Sequence, residues 1–316
     1  MSFMSDTARA IAHAVEEAGL SLSAPILVIN GNHDSAVSWY PDEQIEAPSG
    51  NFKSILLFSP KQKDENNYLT ALSLKMLQPG GVFVCVAENE AGGKSLAKNL
   101  KSFGVPVTDH AKHKCRVVWT VEPQKAAAKT IEEAQQKGGL QQRRDGLWTM
   151  PGLFSWDRLD AGTDILLHHL PFAIKGQGAD FGCGIGILGV KMLQRYKDIR
   201  NLICLDKDIR ALNCCSKNLA AFSGRFETGL ADLSKPCDLP KLDFVVMNPP
   251  FHIGKKQSIE LGLSFIRNAA NSLKPEGILV FVANTHLPYE KEVAAGFSFH
   301  RILREEKGFK IIEAIK

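Results

Sequence analysis

The sequence predicts an α/β protein made of two tandem Rossmann-like domains, a duplication whose first copy is truncated and degenerate. Three observations predict it. The length of 316 residues suits roughly two domains of ordinary size. Two stretches, 68–87 and 258–283, follow one plan: an amphipathic helix, a proline-glycine stop, then a short and wholly apolar strand. The second half alone adds a glycine-rich turn between a strand and a helix, at Asp180-Phe181-Gly182-Cys183-Gly184-Ile185-Gly186.

Composition narrows the classes further. Hydrophobic residues make up 44% and charged residues 23%, which excludes collagen-like, coiled-coil and wholly disordered chains. No run of eighteen apolar residues is present, so no membrane helix is expected. The first residues read as an amphipathic helix (Ile11, Val15, Ala18) interrupted by Asp6, Glu16 and Glu17 and not as a signal peptide. Seven cysteines with no C-x-x-C pair suit reduced thiols, hence a cytoplasmic protein. The net charge of +4 permits a nucleic-acid partner without demanding one.

Taken in order, the first half begins with the apolar strand 26–29. A loop crowded with Gly31, Pro41, Pro48 and Gly50 follows and leads to a strand at 54–58. Leu69, Leu72, Met76 and Leu77 then share one helix face, Pro79 stops that helix, and the apolar run 82–87 follows. In the second half Ile259, Leu263, Ile266, Ala270 and Leu273 form the matching face, Pro275 the stop and 278–283 the strand. The pairing extends outward: 54–60 mirrors 243–249, and 115–119 mirrors 310–314, so each half should end in an antiparallel pair. The expected boundaries are 1–121 for the first domain, 122–147 for a linker containing a short helix (126–136), and 148–316 for the second domain.

The chemistry is expected in the second half. Gly184, Gly186 and Gly189 also fit G-x-G-x-x-G, so a dinucleotide site has to be weighed. Asp180, two residues before the first glycine, would repel a pyrophosphate but suits a cationic amine such as that of S-adenosylmethionine. Asp206 ends the strand 202–206, where a ribose diol binds; this fits either cofactor. Asn248-Pro249-Pro250-Phe251 follows a buried strand. Two prolines stiffen that loop and hold an amide, a carbonyl and an aromatic face in fixed relation. Those groups suit a planar base bearing an amino group, and hydride transfer has no evident use for them.

On these motifs the chain resembles class I S-adenosylmethionine-dependent methyltransferases that modify amino nitrogens. With 150–155, 159–163, Asn248 to His252, 283–284 and 287–289 added, it is similar to the bacterial ribosomal RNA small-subunit methyltransferase C family. The resemblance implies transfer of a methyl group to the exocyclic N2 of a guanine in 16S ribosomal RNA, with rRNA or the small subunit as partner. It also implies a first domain that no longer binds cofactor. Here that half has only Gly31-Asn32-His33-Asp34 where a glycine-rich loop belongs, and Ser59-Pro60-Lys61 where Asn-Pro-Pro belongs. The implied catalytic residues are Asn248, Pro249, Pro250 and Phe251. The implied cofactor residues are Asp180, Gly182, Cys183, Gly184, Gly186, Asp206, Asp232 (facing the adenine amine) and Asn248. Phe251 would stack on the base, Phe154 would also touch the substrate, His252 and Lys255 would meet phosphates, and Phe154 to Thr163 would cover the donor, although Asp160 and Thr163 also read as a helix cap.

Alternatives stay open at this point: a guanine in 23S RNA, adenine N6, a protein glutamine amide, a non-catalytic RNA-binding scaffold, or a nicotinamide enzyme. His110, His113 and Cys115 offer no fourth ligand, so no metal site is expected. Cys183, Cys204, Cys214 and Cys215 read as small core side chains. Nothing in the residues distinguishes monomer from homodimer.

Overall fold

The computed structural model describes residues 6–32, 36–250 and 255–316, the side chains of 255–258 excepted. The chain forms two compact units that change over at 141/142, with 150–152 counted in the first. Phe251 and His252, and the side chain of Lys255, lie outside the described residues.

The first unit runs α1 (Asp6–Glu17), β1 (Ile26–Ile29), β2 (Val37–Trp39), β3 (Phe52–Phe58), α2 (Lys63–Met76), β4 (Leu77–Glu88), α3 (Gly93–Lys101), β5 (Thr108–Lys112), β6 (Cys115–Thr120) and α4 (Ala128–Gly138). Its sheet has the order β2-β1-β3-β4-β6-β5, parallel except where β6 runs against β4 and β5. Continuous apolar strands need cover on both faces. Leu57, Phe83 and Val118 pack with Leu69, Leu96 and Ala134 from α2, α3 and α4. On the other face Val28, Val84 and Trp119 receive only Ala10 and Ala14 of α1 as buried helical partners among the described residues.

Two short strands, β7 (Gln141–Gln142) and β8 (Trp148–Thr149), mark the changeover. The second unit continues with α5 (Ala161–His169), β9 (Gly176–Phe181), α6 (Ile187–Arg195), β10 (Ile199–Asp206), α7 (Ile209–Leu219), β11 (Phe226–Leu230), β12 (Leu242–Met247), α8 (Lys255–Ser272), β13 (Leu273–Asn284), α9 (Glu290–Gly296), β14 (Phe299–Glu306) and β15 (Phe309–Ile315). Its sheet order is β11-β10-β9-β12-β13-β15-β14, with β15 antiparallel to β13 and β14. Ala179, Phe181 and Phe281 pack with Phe265 and Val293 from α8 and α9. Val246, Val280 and Cys204 pack with Leu166, Leu193 and Cys215 from α5, α6 and α7.

Dropping β11 from the second sheet leaves the strand order of the first. The expected terminal antiparallel pairs are present in both. The prolines act differently from the sequence reading. The helices end at Met76 and Ser272, three residues before Pro79 and Pro275, and both prolines sit inside the strands that follow. Each strand changes register there, at 77–82 against β3 and at 273–278 against β12, so the same irregularity recurs in both units. A proline survives in a strand at such a break because it owes no ladder hydrogen bond there.

The boundary also differs from the reading. The helix assigned to a linker is α4, and it belongs to the first unit: Ala134 is buried in that unit's core, and Gly138 sits where a Cβ would strike Tyr68 of α2. Sequence polarity hid this, because only a narrow stripe of α4 is apolar. Between β1 and β3 the described residues contain no helix, only the three-residue β2. No helix among the described residues is long and apolar enough to cross a membrane.

Candidate active site

In the second sheet the chain leaves β9 for β10 on one side, while β12 flanks the other. Ligands of such sheets bind outside the carboxyl ends of the strands at this reversal. A cleft of about 690 Å³ lies there, lined by Gly182, Gly184, Asp206, Asp232, Asn248 and Pro250 among others.

The glycine turn is tied to the end of β10. Gly182 and Cys183 N–H both donate to the Leu205 carbonyl (2.8 and 2.9 Å), and Gly184 N–H donates to Asp206 Oδ2 at 2.8 Å. The second Asp206 oxygen accepts from Asp208 N–H at 3.0 Å. Burial pushes the Asp206 carboxyl up from its ordinary value, and these backbone donors partly oppose the shift. Gly184 has φ +53° and open space where a Cβ would stand, so the backbone is bare toward the cleft. Gly186 has a different task. It caps α6 at φ +84°, where a Cβ would lie 2.7 Å from Cys215 Sγ, and it does not line the cleft. Its glycine serves packing.

Asp180, expected to meet a cationic amine, stands behind the glycine turn and not on the cleft wall. It sits on β9 facing the α6–α7 layer, beside Cys204 and Val246 on the flanking strands. It is 0% exposed, absent from the cleft wall, and neither carboxylate oxygen has a hydrogen-bond partner. Burial raises its pKa well above the carboxylate range. Cys215 and Asp206 add to the shift; the Gly189 N–H in the first turn of α6 opposes it from outside hydrogen-bonding geometry. The alternation of side chains along β9 decides this: Phe181 and Ala179 face α8, so Asp180 faces the other layer.

Asn248 follows β12 and is half-buried. Its Nδ2 donates to Asp160 Oδ2 at 3.0 Å and to Thr163 Oγ1 at 2.8 Å. Asp160 is also the N-cap of α5, accepting from Thr163 N–H at 3.0 Å. Pro249 is buried, while Pro250 is exposed and lines the cleft. Asp232 lies on the cleft rim, with its carboxylate already accepting from Ser234 and paired with Lys235; its pKa is lowered chiefly by Ser234. Phe154 is 51% exposed and lines both the cleft and a narrow recess behind it, which Cys183 and Thr163 share.

Sequence reading missed the opposite wall, made by Leu233 and by Leu261, Ser264 and Phe265 of α8. The apolar face read from the sequence, Ile259, Leu263, Ile266, Ala270 and Leu273, does not include these residues, so that pattern carried no signal for the wall. His110, weighed as a metal ligand, meets His13 Nδ1 at 3.0 Å through its Nε2. Among the described residues no group of three His, Cys, Asp or Glu side chains is placed to hold a metal ion. Cys183, Cys204, Cys214 and Cys215 are buried and unpaired.

Residues 145–313 match the family model described as Methyltransferase small domain, and 30–136 match Methyltransferase small domain N-terminal. A Shewanella pealeana protein, Ribosomal RNA small subunit methyltransferase C, is 32% identical over 274 residues, covering 84% of this chain and 78% of its own. The protein of the same description from Hahella chejuensis is 30% identical over 336 residues, covering 99% and 93%. This chain belongs to the ribosomal RNA small subunit methyltransferase C family. A solved T. thermophilus 16S rRNA N2 methyltransferase, in complex with AdoMet and guanosine, superposes with TM-score 0.76 at 17% identity, covering 94% of this chain and 89% of that one. At that identity the likeness shows the fold, and its 94% coverage spans both units.

Proposed function

We propose that this chain is an S-adenosylmethionine-dependent methyltransferase that modifies the exocyclic N2 of a guanine in 16S ribosomal RNA. The observation that carries the reading is one cleft bounded at once by the bare Gly182–Gly184 turn, the Asp206 carboxylate and the Asn248 amide. The names of its relatives supply the substrate class.

The residues present fit the cofactor. Asp206 retains acceptor capacity for a ribose diol, since its two oxygens offer about four lone-pair sites and the Gly184, Asp208 and Lys207 N–H groups occupy at most three. Leu233, Leu261 and Phe265 offer an apolar wall for a flat adenine, and the bare backbone at Gly184 allows close approach. Asp232, at the rim, is the adenine-amine partner only if it loosens from Lys235. When bound, S-adenosylmethionine supplies an electrophilic methyl group.

A guanine amine is a weak nucleophile because its lone pair is conjugated with the ring. The Asn248 side-chain oxygen accepts a hydrogen bond from that amine and aims the lone pair. The Pro249 carbonyl is the expected second acceptor, with Phe251 as stacking partner, and His252 and Lys255 are the expected phosphate contacts. Holding two reactants in line is worth on the order of 7–11 kcal/mol, so no strong general base is invoked, and the amine proton leaves to water. A target base in a duplex must first be flipped out, at a cost of about a few kcal/mol.

For the first unit we propose a degenerate copy of the same domain, extending to residue 141, that positions RNA or stabilises the catalytic unit. A cytoplasmic location follows from the substrate. The test is methyl transfer from labelled S-adenosylmethionine to 16S rRNA and to assembled small subunits, followed by mass spectrometry of the nucleosides. N2-methylguanosine is expected. N6-methyladenosine as the product, or no label in 16S rRNA either free or in the subunit beside label in a parallel reaction with 23S rRNA or ribosomal protein, would overturn the reading.

A further inference from the structure

We infer that Asp160 and Thr163 are positioning residues that fix which way the side-chain amide of Asn248 faces. The inference rests on Asn248 being the acceptor for the substrate amine. An asparagine amide has two faces of opposite sense, and only the carbonyl face can accept from an amine. Both settings have nearly the same shape, so the surroundings must choose between them.

Here the choice is made by a polarised chain of hydrogen bonds. A carboxylate only accepts. Asp160 Oδ2 takes the Thr163 N–H at 3.0 Å, the Thr163 hydroxyl at 3.4 Å and one Asn248 Nδ2 hydrogen at 3.0 Å. Because the Thr163 hydroxyl donates to Asp160, its lone pair faces Asn248 and accepts the second Nδ2 hydrogen at 2.8 Å. Both amide hydrogens are thereby taken, and Asn248 Oδ1 receives no donor from the described residues. A flipped amide would set its oxygen against the Asp160 carboxylate and strand two hydrogens on the cleft side. Thr163 is 4% exposed, so water competes poorly for these bonds. The residues come from the first turn of α5 and the end of β12, 85 and 88 positions apart, which explains why spacing in the sequence gives no hint of the pairing.

The test uses the full-length enzyme. Asp160→Ser keeps a good helix cap but is too short to reach Asn248, so Tm should hold while orientation is lost. Expected is a kcat lower by on the order of tenfold or more, the loss of a charge-assisted hydrogen bond, with S-adenosylmethionine affinity by calorimetry changed by about threefold at most. Thr163→Val should lower kcat in the same way, Thr163→Ser should restore it, and Asp160→Asn, which can place an amide oxygen in the same spot, should retain more activity than Asp160→Ser. Variants that keep wild-type kcat, or whose losses follow only cofactor affinity or Tm, overturn the inference. A second readout is independent of activity. With asparagine labelled in 15N, the Asn248 NH2 pair should be shifted downfield and slow to exchange, and should move to solvent-like values in Asp160→Ser. An unchanged pair overturns the inference even if the wild-type enzyme proves inactive on RNA, an outcome that would sink only the functional reading.

Discussion

The Gly184 amide donates to the Asp206 carboxylate at 2.8 Å, so the glycine turn and the end of the neighbouring strand are one construction. Asp206 both anchors the turn and faces the cleft. Asp206→Ala removes both contributions. Expected is a loss of about 1.5–3 kcal/mol in S-adenosylmethionine binding, the size of a hydrogen bond to a charged group. Titration calorimetry reads it, and unchanged affinity would remove Asp206 from the cofactor site.

Two glycines two residues apart should fail in different ways. At Gly184 an added methyl meets open space at φ +53°, so Gly184→Ala should cost only about 1 kcal/mol of folding while obstructing the cofactor. At Gly186 the methyl meets Cys215 as well as an unfavourable φ of +84°. Gly186→Ala should therefore destabilise by about 2–4 kcal/mol. Denaturant titrations beside binding curves separate the two, and equal stability losses would contradict the packing described.

Asp180 sets a pH dependence. Its folded-state pKa is raised by burial, so the folded chain holds its proton where the unfolded chain has released it. The stability that Asp180 contributes is fully present below its unfolded pKa of about 3.9 and is lost as pH rises through the folded value. Wild type minus Asp180→Asn, measured by chemical denaturation, should therefore favour wild type most at about pH 4 and decline toward pH 8. A difference that grows with pH would refute it.

Asn248→Ala should leave cofactor affinity nearly intact and lower kcat by on the order of 100-fold, the scale for removing one preorganised hydrogen-bonding group at a reacting centre. Single-turnover methyl transfer is the measurement. A change confined to KM would mean that Asn248 contributes binding alone.

Lys310 is 2% exposed, donates to the carbonyls of Thr285 and Leu287, and pairs with Glu290. Lys310→Met should cost about 3 kcal/mol, because it strands buried acceptors along the 284–290 segment. Tm measurement decides; a neutral substitution would show that the segment holds without it.

By itself the sequence determined the alternation of helices and strands, the shared plan of the two units, the glycine turn and the strand-end Asp206, because these depend on local spacing: periods of 2 and 3.6 residues, and small residues where backbone must stay bare. Only the tertiary structure decided what lies far apart in sequence. It turned Asp180 into the core, since register along β9 fixes which layer each side chain faces. It moved α4 from a linker into the first unit, and it brought Asp160 and Thr163 to Asn248. Those outcomes follow from how sheets and helices stack, and a one-dimensional pattern carries no information about which distant side chains will share a hydrogen.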